Sequence, residues 1–283
     1  MNAYTFYRQF LKQLQNIYST GEAAVITDLI FEKFADLVKI DLIKNPDLII
    51  SELQHKELDN ALKQLLDLKP VQYVIGETSF YKLKFIVNSS VLIPRPETEE
   101  LVSMVLNFSK NNTVKKIIDI GTGSGCIPIS IKKNIPLINV TTVDISMHAL
   151  STASQNAINN ETEINFVELD FLDENNWKLL EKYDVIVSNP PYIPFSERYL
   201  IPKNVKDYEP AEALFVDEPL IFYKKIAQFA KSYLNIDGKI FMEVHEDFAN
   251  QVFEYFVEEG YEANIVNDML DKQRFVLAHF INS

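Results

Sequence analysis

An apolar run in this chain stops abruptly at Asn189-Pro190-Pro191-Tyr192. Asn189 offers an acceptor oxygen. Pro190 has no N–H, but its carbonyl still accepts. Two acceptors aimed at one point suit an –NH2 group, which has two hydrogens to give. Tyr192 supplies a wall on which a flat group can rest. Together these residues describe a planar amide or an aryl amine as target. Such a nitrogen is a poor nucleophile, because its lone pair is delocalised. Acceptors that draw its hydrogens toward a tetrahedral arrangement free the lone pair for attack on an electrophilic carbon. The alternative reading of the same four residues is a rigid turn with no ligand.

A second stretch supplies the electrophile. In IIDIGTGSGCIPISI (117–131) a buried strand runs into Gly121, Gly123 and Gly125 and then into a helix. Glycines there allow a positive φ and let a ligand approach the backbone. A dinucleotide fingerprint needs G-x-G-x-x-G; here the third glycine comes one position early and Cys126 takes its slot. With Asp119 inside the strand, the pattern D-x-G-x-G-x-G resembles motif I of S-adenosylmethionine-dependent methyltransferases. Gly121, Thr122, Gly123, Ser124 and Gly125 are then candidates to hold that cofactor. Asp144, at the end of TTVD, can accept from both ribose hydroxyls, or can cap the next helix in competition with Ser146. Asp170 can accept from the adenine amino group. Phe171 can lie against the purine, or simply fill the core.

Methyl transfer to an amide nitrogen asks for alignment of nitrogen, methyl and sulfur, and orientation can contribute roughly 7–11 kcal/mol of the barrier. The sulfonium charge is lost in the reaction, which suits a water-poor site with oriented dipoles. No nucleophilic residue, metal or general-base histidine is needed. His55, His148, His245 and His279 are scattered and Cys126 is alone, so no metal set is expected.

These residues need a frame. From about residue 97 the chain alternates strand and helix: KKIIDI, INVTTVD, INFVELD, YDVIVSNP and GKIFMEV are strands separated by helical stretches such as SMHALSTASQNAINN. That rhythm predicts an α/β fold with a parallel sheet wrapped by helices. EANIVNDMLDKQRFVLAHF closes the chain as two paired strands. Residues 1–75 instead read as all-helical. One face carries Tyr4, Tyr7, Leu11, Leu14 and Tyr18, and another carries Val25, Ile26, Leu29, Ile30, Phe34 and Leu37. Residues 76–96 read as a β-hairpin linker with a turn near Asn88–Ser90, ahead of a catalytic domain at 97–283.

The 283 residues carry a net charge of −13, and it is uneven. Residues 1–90 hold 10 Lys/Arg against 11 Asp/Glu, whereas 91–283 hold 17 against 29. Nucleic-acid affinity rests on neutralising phosphates, so an acidic second domain speaks against a DNA or RNA substrate whose base is flipped out for methylation. A binding module that has lost its chemistry is the other alternative, and intact Asp144 and Asn189 speak against it. No apolar run approaches the ~20 residues that span a membrane, the first residues lack a signal peptide's apolar region, and one cysteine fits the cytoplasm.

The upstream residues choose among amine targets. PVQYVIGETSFYKLKFIVNSSVLIPRPETEELV (70–102) contains Pro70, Tyr73 and Gly76 of a P-x-x-Y-x-x-G element and an intact I-P-R-P-E-T-E block from Ile93 to Glu99. With motif I, NPPY and YEPAEAL (208–214), it resembles the PrmC/HemK family of protein-glutamine N5-methyltransferases over essentially the whole chain. The resemblance implies a class I S-adenosylmethionine-dependent methyltransferase: a Rossmann-like, mainly parallel seven-stranded sheet with a terminal antiparallel strand, plus a small helical N-terminal domain. It implies as substrate the glutamine of the Gly-Gly-Gln tip in class-I peptide chain release factors. Asn189 and the Pro190 carbonyl would hold its amide, Pro191 and Tyr192 would complete the catalytic turn, Gly121 to Gly125, Asp144, Phe171 and Asn189 would line the cofactor, and the N-terminal helices would grip the release factor. Two segments depart from the pattern. Val244 and His245 follow Glu243 where E-I-G or E-H-G is usual, and the late D-x-x-G-x-x-R appears as DMLDKQR without its glycine.

Overall fold

The structure is a computed structural model that describes residues 1–281. Its contacts separate two units: residues 1–76 with 202–208, and residues 77–201 with 209 onward.

In the first unit, helices α1 (Ala3–Leu14), α2 (Thr20–Ala35), α3 (Lys39–Lys44), α4 (Glu52–Leu66) and α5 (Val71–Ile75) share one apolar core. Asn2, Ser19 and Ser51 each accept a backbone N–H at the head of α1, α2 and α4, and Gln54 accepts the Ser51 N–H in return, which satisfies donors the first turn leaves open. The buried face of α1 is Ala3, Phe6, Tyr7, Phe10 and Leu14. This corrects the expected line through Tyr4 and Leu11: Tyr4 is 38% exposed. Phe6 and Phe10 have no polar atom to satisfy, and both pack on Phe31, with ring centroids 6.0 and 5.6 Å away. Tyr7 is buried only with a partner, its hydroxyl donating to Asp28 Oδ1 at 2.5 Å. In α2 the buried set is Ala23, Ile26, Thr27, Ile30, Phe31 and Ala35, while Val25 and Leu29 face outward. That helix is apolar around much of its girth, so periodicity does not choose its inner side. Within the 202–208 stretch, the Tyr208 hydroxyl donates to the Asp67 carbonyl at 2.7 Å.

The second unit begins with a hairpin of β1 (Glu77–Phe80) and β2 (Leu83–Ile86). It turns at Tyr81-Lys82, with φ of 48° and 63°, the two-residue geometry that matches strand twist. Neither residue is the glycine or asparagine such a turn favours, so the sequence pointed instead to Asn88–Ser90. That segment makes a separate turn after β2, where Asn88 Oδ1 accepts the Ser90 N–H at 2.8 Å. Then follow α6 (Pro96–Asn111), β3 (Lys116–Ile120), α7 (Cys126–Asn134), β4 (Asn139–Asp144), α8 (Met147–Asn159), β5 (Asn165–Glu168) and β6 (Tyr183–Ser188). A short pair, β7 (Ile193–Pro194) and β8 (Phe215–Val216), precedes the helix Ile221–Tyr233, β9 (Leu234–Glu243), the helix Ala249–Glu258, β10 (Tyr261–Asn267) and β11 (Gln273–Phe280).

Seven strands form one sheet in the order β10-β11-β9-β6-β3-β4-β5. Only β11 runs against the others, paired antiparallel to β9 and β10. The expected α/β fold, the terminal antiparallel strand and the final strand pair are all present. Neighbouring residues of a strand serve opposite faces. Ile118, Ile186 and Met242 pack on one side with Tyr223, Phe229 and Phe256; Ile117, Val185, Val187 and Phe241 pack on the other with α6 and α7. Burial on both faces is what a parallel sheet requires. Phe80 and Phe85 of the hairpin enter that second core.

Gly125 stands where helices meet. Its φ is +78°, and a Cβ there would lie 2.9 Å from Ile129 Cδ1 and 3.0 Å from Ala153 Cβ. Gly125→Ala should therefore lose roughly 2–4 kcal/mol in urea unfolding, combining strain with overpacking. Gly21→Ala, in α2 with nothing within 4 Å of the added carbon, should be neutral or stabilising by up to about 1 kcal/mol.

Candidate active site

The site is set by where parallel strands stop. In register, Ile120 of β3 faces Ser188 of β6 and Val143 of β4, while Ser188 faces Met242 of β9. The next residues along each chain are Gly121, Asn189, Asp144 and Glu243. All four lie at the carboxyl edge of the sheet. The chain runs from β3 outward to β4 and β5, then returns to place β6 on the other side of β3, so β3 and β6 flank the topological switch point where such sheets bind ligands.

The glycine loop is anchored from below. The N–H groups of Gly121 and Thr122 both donate to the Val143 carbonyl, at 2.9 and 3.2 Å. Gly121, Gly123 and Gly125 all have positive φ. A Cβ at Gly121 or Gly123 would meet nothing within 4 Å, so their missing side chains leave open backbone, whereas Gly125 is required by packing. Ser124 is buried and its carbonyl accepts from Asn156 Nδ2 at 2.9 Å. Asn156 also brackets Ile86, accepting its N–H at 2.6 Å and donating to its carbonyl at 3.0 Å. One fully buried amide thus ties the hairpin to the loop.

Asp144 Oδ2 accepts the Gly123 N–H and Oδ1 the Ser146 N–H, each at 2.9 Å. The capping of α8 falls to Ser146, whose hydroxyl oxygen accepts the Ala149 N–H at 3.2 Å. Burial raises the Asp144 carboxyl from its ordinary value, against the opposing pull of these N–H bonds. Asp119 is wholly buried. Its Oδ2 accepts from the Thr142 hydroxyl at 2.8 Å, whereas Asp119 Oδ1 and Thr122 Oγ1 are buried without a hydrogen-bond partner among the described residues. Asp170 is exposed, with Oδ1 accepting the Leu172 N–H at 3.0 Å. The Phe171 ring is 4% exposed and packs on Trp177 and Phe229, so of its two readings the structure shows core packing. The exposed apolar residue beside Asp144 is Ile145, at 62%.

In the Asn-Pro-Pro-Tyr turn Pro190 is buried and the other three are half-buried. Asn189 Nδ2 donates to Thr98 Oγ1 at 3.1 Å, and the Thr98 hydroxyl donates to Glu243 Oε2 at 2.7 Å. The amide's nitrogen end is therefore engaged, and its oxygen is the opposite end. The Tyr192 ring meets His245 edge-on with centroids 5.7 Å apart, and burial raises its hydroxyl pKa far above the ordinary range.

The Ile93–Glu99 block explains itself residue by residue. Glu209, of the YEPAEAL stretch, is buried; its Oε2 accepts the Ile93 N–H at 3.0 Å and its Oε1 pairs with Arg95 Nη2 at 2.6 Å. Arg95 occupies the N-cap of α6 without a side-chain cap, and Pro96 sits at the first helical position, where its missing N–H costs nothing. Thr98 reaches Asn189 and Glu243. Glu99 Oε1 accepts the Tyr81 N–H at 2.9 Å. The sequence marked the block itself but not the roles of Glu243, Glu209 and Asn156, whose partners Thr98, Ile93 and Ile86 are 145, 116 and 70 residues away.

Of the two departing segments, the late one forms a turn without its glycine. Asp271 holds the glycine's place at φ +62°, a conformation Asp tolerates better than most, and Asn267 Nδ2 donates to its Oδ1 at 2.8 Å. The loop closes on Asp268, which accepts from Arg274 Nε at 3.3 Å. After Glu243, the Val244 N–H donates to the Arg274 carbonyl at 2.8 Å. Among the described residues no group of three or more His, Cys, Asp or Glu could hold a metal, and no helix is long and apolar enough to cross a membrane.

A seven-stranded sheet with this order, a glycine loop after β3 and an acid at the end of β4 define a class I S-adenosylmethionine-dependent methyltransferase. Residues 5–76 match the PrmC N-terminal domain and residues 100–200 the Methyltransferase small domain. The release factor glutamine methyltransferase of Flavobacterium psychrophilum is 39% identical over 96% of this chain and 97% of its own. That of Bacteroides thetaiotaomicron is 34% identical over 99% of this chain and 100% of its own. This chain belongs to the release factor glutamine methyltransferase family, as the PRPETE and NPPY blocks suggested. The hMettl16 catalytic domain, solved with the MAT2A 3'UTR hairpin 6, shares the fold alone, with a TM-score of 0.54 at 13% identity over 81% of this chain and 82% of that one.

Burial pushes the Asp119 carboxyl from 3.8 to about 7. A carboxyl raised on folding gives stability that is present below its unfolded value and lost as pH rises through the folded one. Asp119→Asn, which cannot ionise, should match the wild-type melting temperature near pH 4 and exceed it by several degrees at about pH 8. A gap that does not grow with pH would show Asp119 ionised at no cost.

Proposed function

We propose that this enzyme transfers a methyl group from S-adenosylmethionine to the side-chain amide nitrogen of the glutamine in the Gly-Gly-Gln motif of class-I peptide chain release factors, and so modulates translation termination. The observation that carries the reading is the engaged nitrogen end of Asn189, which commits its oxygen as acceptor beside the glycine loop.

The residues present fit the cofactor. Open backbone at Gly121 and Gly123 suits close approach of its amino-acid portion. The unpartnered Asp119 Oδ1 and Thr122 Oγ1 are acceptors for its ammonium. Asp144 keeps further lone pairs for ribose hydroxyls, since a carboxylate accepts about four hydrogens and two are in place. Ile145 offers the purine an apolar surface, with Asp170 near the amino group and Phe171 supporting from the core. The cofactor supplies a methyl group activated by a sulfonium sulfur.

Asn189 Oδ1 and the Pro190 carbonyl accept the two amide hydrogens of the glutamine. Their separation bends the nitrogen out of conjugation and aims its lone pair. Pro191 makes the turn rigid, and the Tyr192 ring carries the flat amide. The Tyr192 hydroxyl stays protonated, so it brings no charge next to a reaction that loses one. The spent proton leaves from a nitrogen made acidic by methylation, which asks for no strong base. The helical unit, residues 1–75 by sequence, supplies remote contacts that orient a side chain too small to bind well alone. The near-neutral first 90 residues and the acidic remainder support a protein rather than a nucleic acid as partner. A partner in the translation machinery supports a cytoplasmic location.

Mass spectrometry of release factor incubated with enzyme and S-adenosylmethionine should find about 14 Da added at the Gly-Gly-Gln glutamine, and none when that glutamine is alanine. Modification surviving that substitution would contradict the reading. Asn189→Ala should lower kcat by roughly 100-fold or more, with a much smaller loss of cofactor affinity by calorimetry. Asp144→Ala should reverse the order and weaken cofactor binding first. Equal losses in both for Asn189→Ala would assign that residue to the cofactor alone.

A further inference from the structure

An asparagine amide has two ends of nearly the same shape and opposite character. With the oxygen outward, Asn189 accepts from a substrate –NH2. With the nitrogen outward, donor meets donor and the substrate is repelled. Rotation of the side chain by half a turn exchanges the two, so the fold must hold the useful one.

We propose that Thr98 and Glu243 are positioning residues whose hydrogen-bond chain sets the polarity of the Asn189 amide. The proposal rests on the reading of Asn189 given above. A hydroxyl has one proton. That of Thr98 goes to Glu243 Oε2 at 2.7 Å, so only lone pairs face Asn189, and only the Nδ2 end can approach, at 3.1 Å. An ionised carboxylate accepts and never donates, so Glu243 terminates the chain with one direction. Thr98 and Glu243 are each 2% exposed, so water does not compete. The Tyr223 hydroxyl donates to the Glu243 carbonyl at 3.0 Å and steadies the end of β9.

Glu243 is faced by charges and titratable groups from every side: Arg95 and Glu97 at the start of α6, Arg274 from β11, Tyr192 from the turn, Tyr223 from the helix Ile221–Tyr233 and Cys126 from the head of α7. Burial raises its carboxyl to about 7, with the Thr98 bond and Arg274 opposing. A protonated Glu243 can donate to Thr98, which frees the Thr98 proton for the oxygen of Asn189. The bias on the amide is then gone. Activity should fall as pH drops through about 7, and the fall should belong to Glu243.

The test uses the whole enzyme, release factor and S-adenosylmethionine, with kcat measured against pH and cofactor affinity by calorimetry. Thr98→Val should lower kcat roughly 10- to 100-fold while cofactor affinity stays within about twofold. Thr98→Ser, which restores the hydroxyl, should recover most of the loss. Glu243→Gln, whose amide can donate to Thr98 as a protonated Glu243 does, should hold kcat near the wild-type acid-limb level at every pH and so lose the fall of kcat at acid pH. Wild-type kcat in Thr98→Val, beside an inactive Asn189→Ala, would overturn this proposal and leave the Asn189 reading standing. Normal turnover in Asn189→Ala would remove both. If Thr98→Val does not fold, Glu243→Gln decides: an unchanged acid limb overturns the proposal.

Discussion

Strands β3 and β6 are parallel neighbours that end level, Ile120 beside Ser188, and the Ser188 hydroxyl donates to the Ile120 carbonyl at 2.7 Å to hold them there. Everything at the site depends on that register. It puts a glycine loop and an amide acceptor side by side, although they stand 68 residues apart in the chain. A slip by one residue would turn every side chain of the strand to the opposite face, and both faces of these strands are buried. The cores on the two faces therefore fix the chemistry at the edge.

The edge carries two buried carboxyls, Asp119 and Glu243, both raised to about 7. Neither is there for stability, since a buried acid costs free energy when it ionises. Each sits behind a group proposed to meet a ligand. Asp119 lies beneath the glycine loop, and Glu243 lies two hydrogen bonds behind the Asn189 oxygen. Asp119 keeps one buried oxygen without a partner among the described residues, while Glu243 accepts from Thr98. The arrangement places stored polarity where charge and protons change, and leaves the rest of the interior apolar.

Much of this was legible in sequence, because the chain itself is local at the points that matter. Strands β3, β4 and β6 each lead straight into candidate residues, so Gly121 to Gly125, Asp144 and Asn189 to Tyr192 announce themselves beside their strands. The alternation of strands and helices gave the sheet. What escaped was set by distant partners or by choices between near-equal options. Glu243, Glu209 and Asn156 look like ordinary polar residues until the fold brings Thr98, Arg95 and Ile86 to them. The α1 face was misread because Tyr4 and Phe6 both keep helical spacing, and only the aromatic packing around Phe31 decides between them. The Tyr81-Lys82 turn carried no glycine to mark it. Phe171 had two sound readings until Trp177 and Phe229 enclosed its ring.

The central claim is that two oxygens at the switch point grasp a carboxamide and aim its nitrogen. A crystal structure of the enzyme with S-adenosylhomocysteine and a release-factor fragment bearing the Gly-Gly-Gln tip tests it most directly. The account predicts the glutamine nitrogen about 3 Å from both Asn189 Oδ1 and the Pro190 carbonyl oxygen, with Asn189 Nδ2 still on Thr98. An Asn189 nitrogen turned toward the glutamine, or a glutamine held away from that edge, would contradict it.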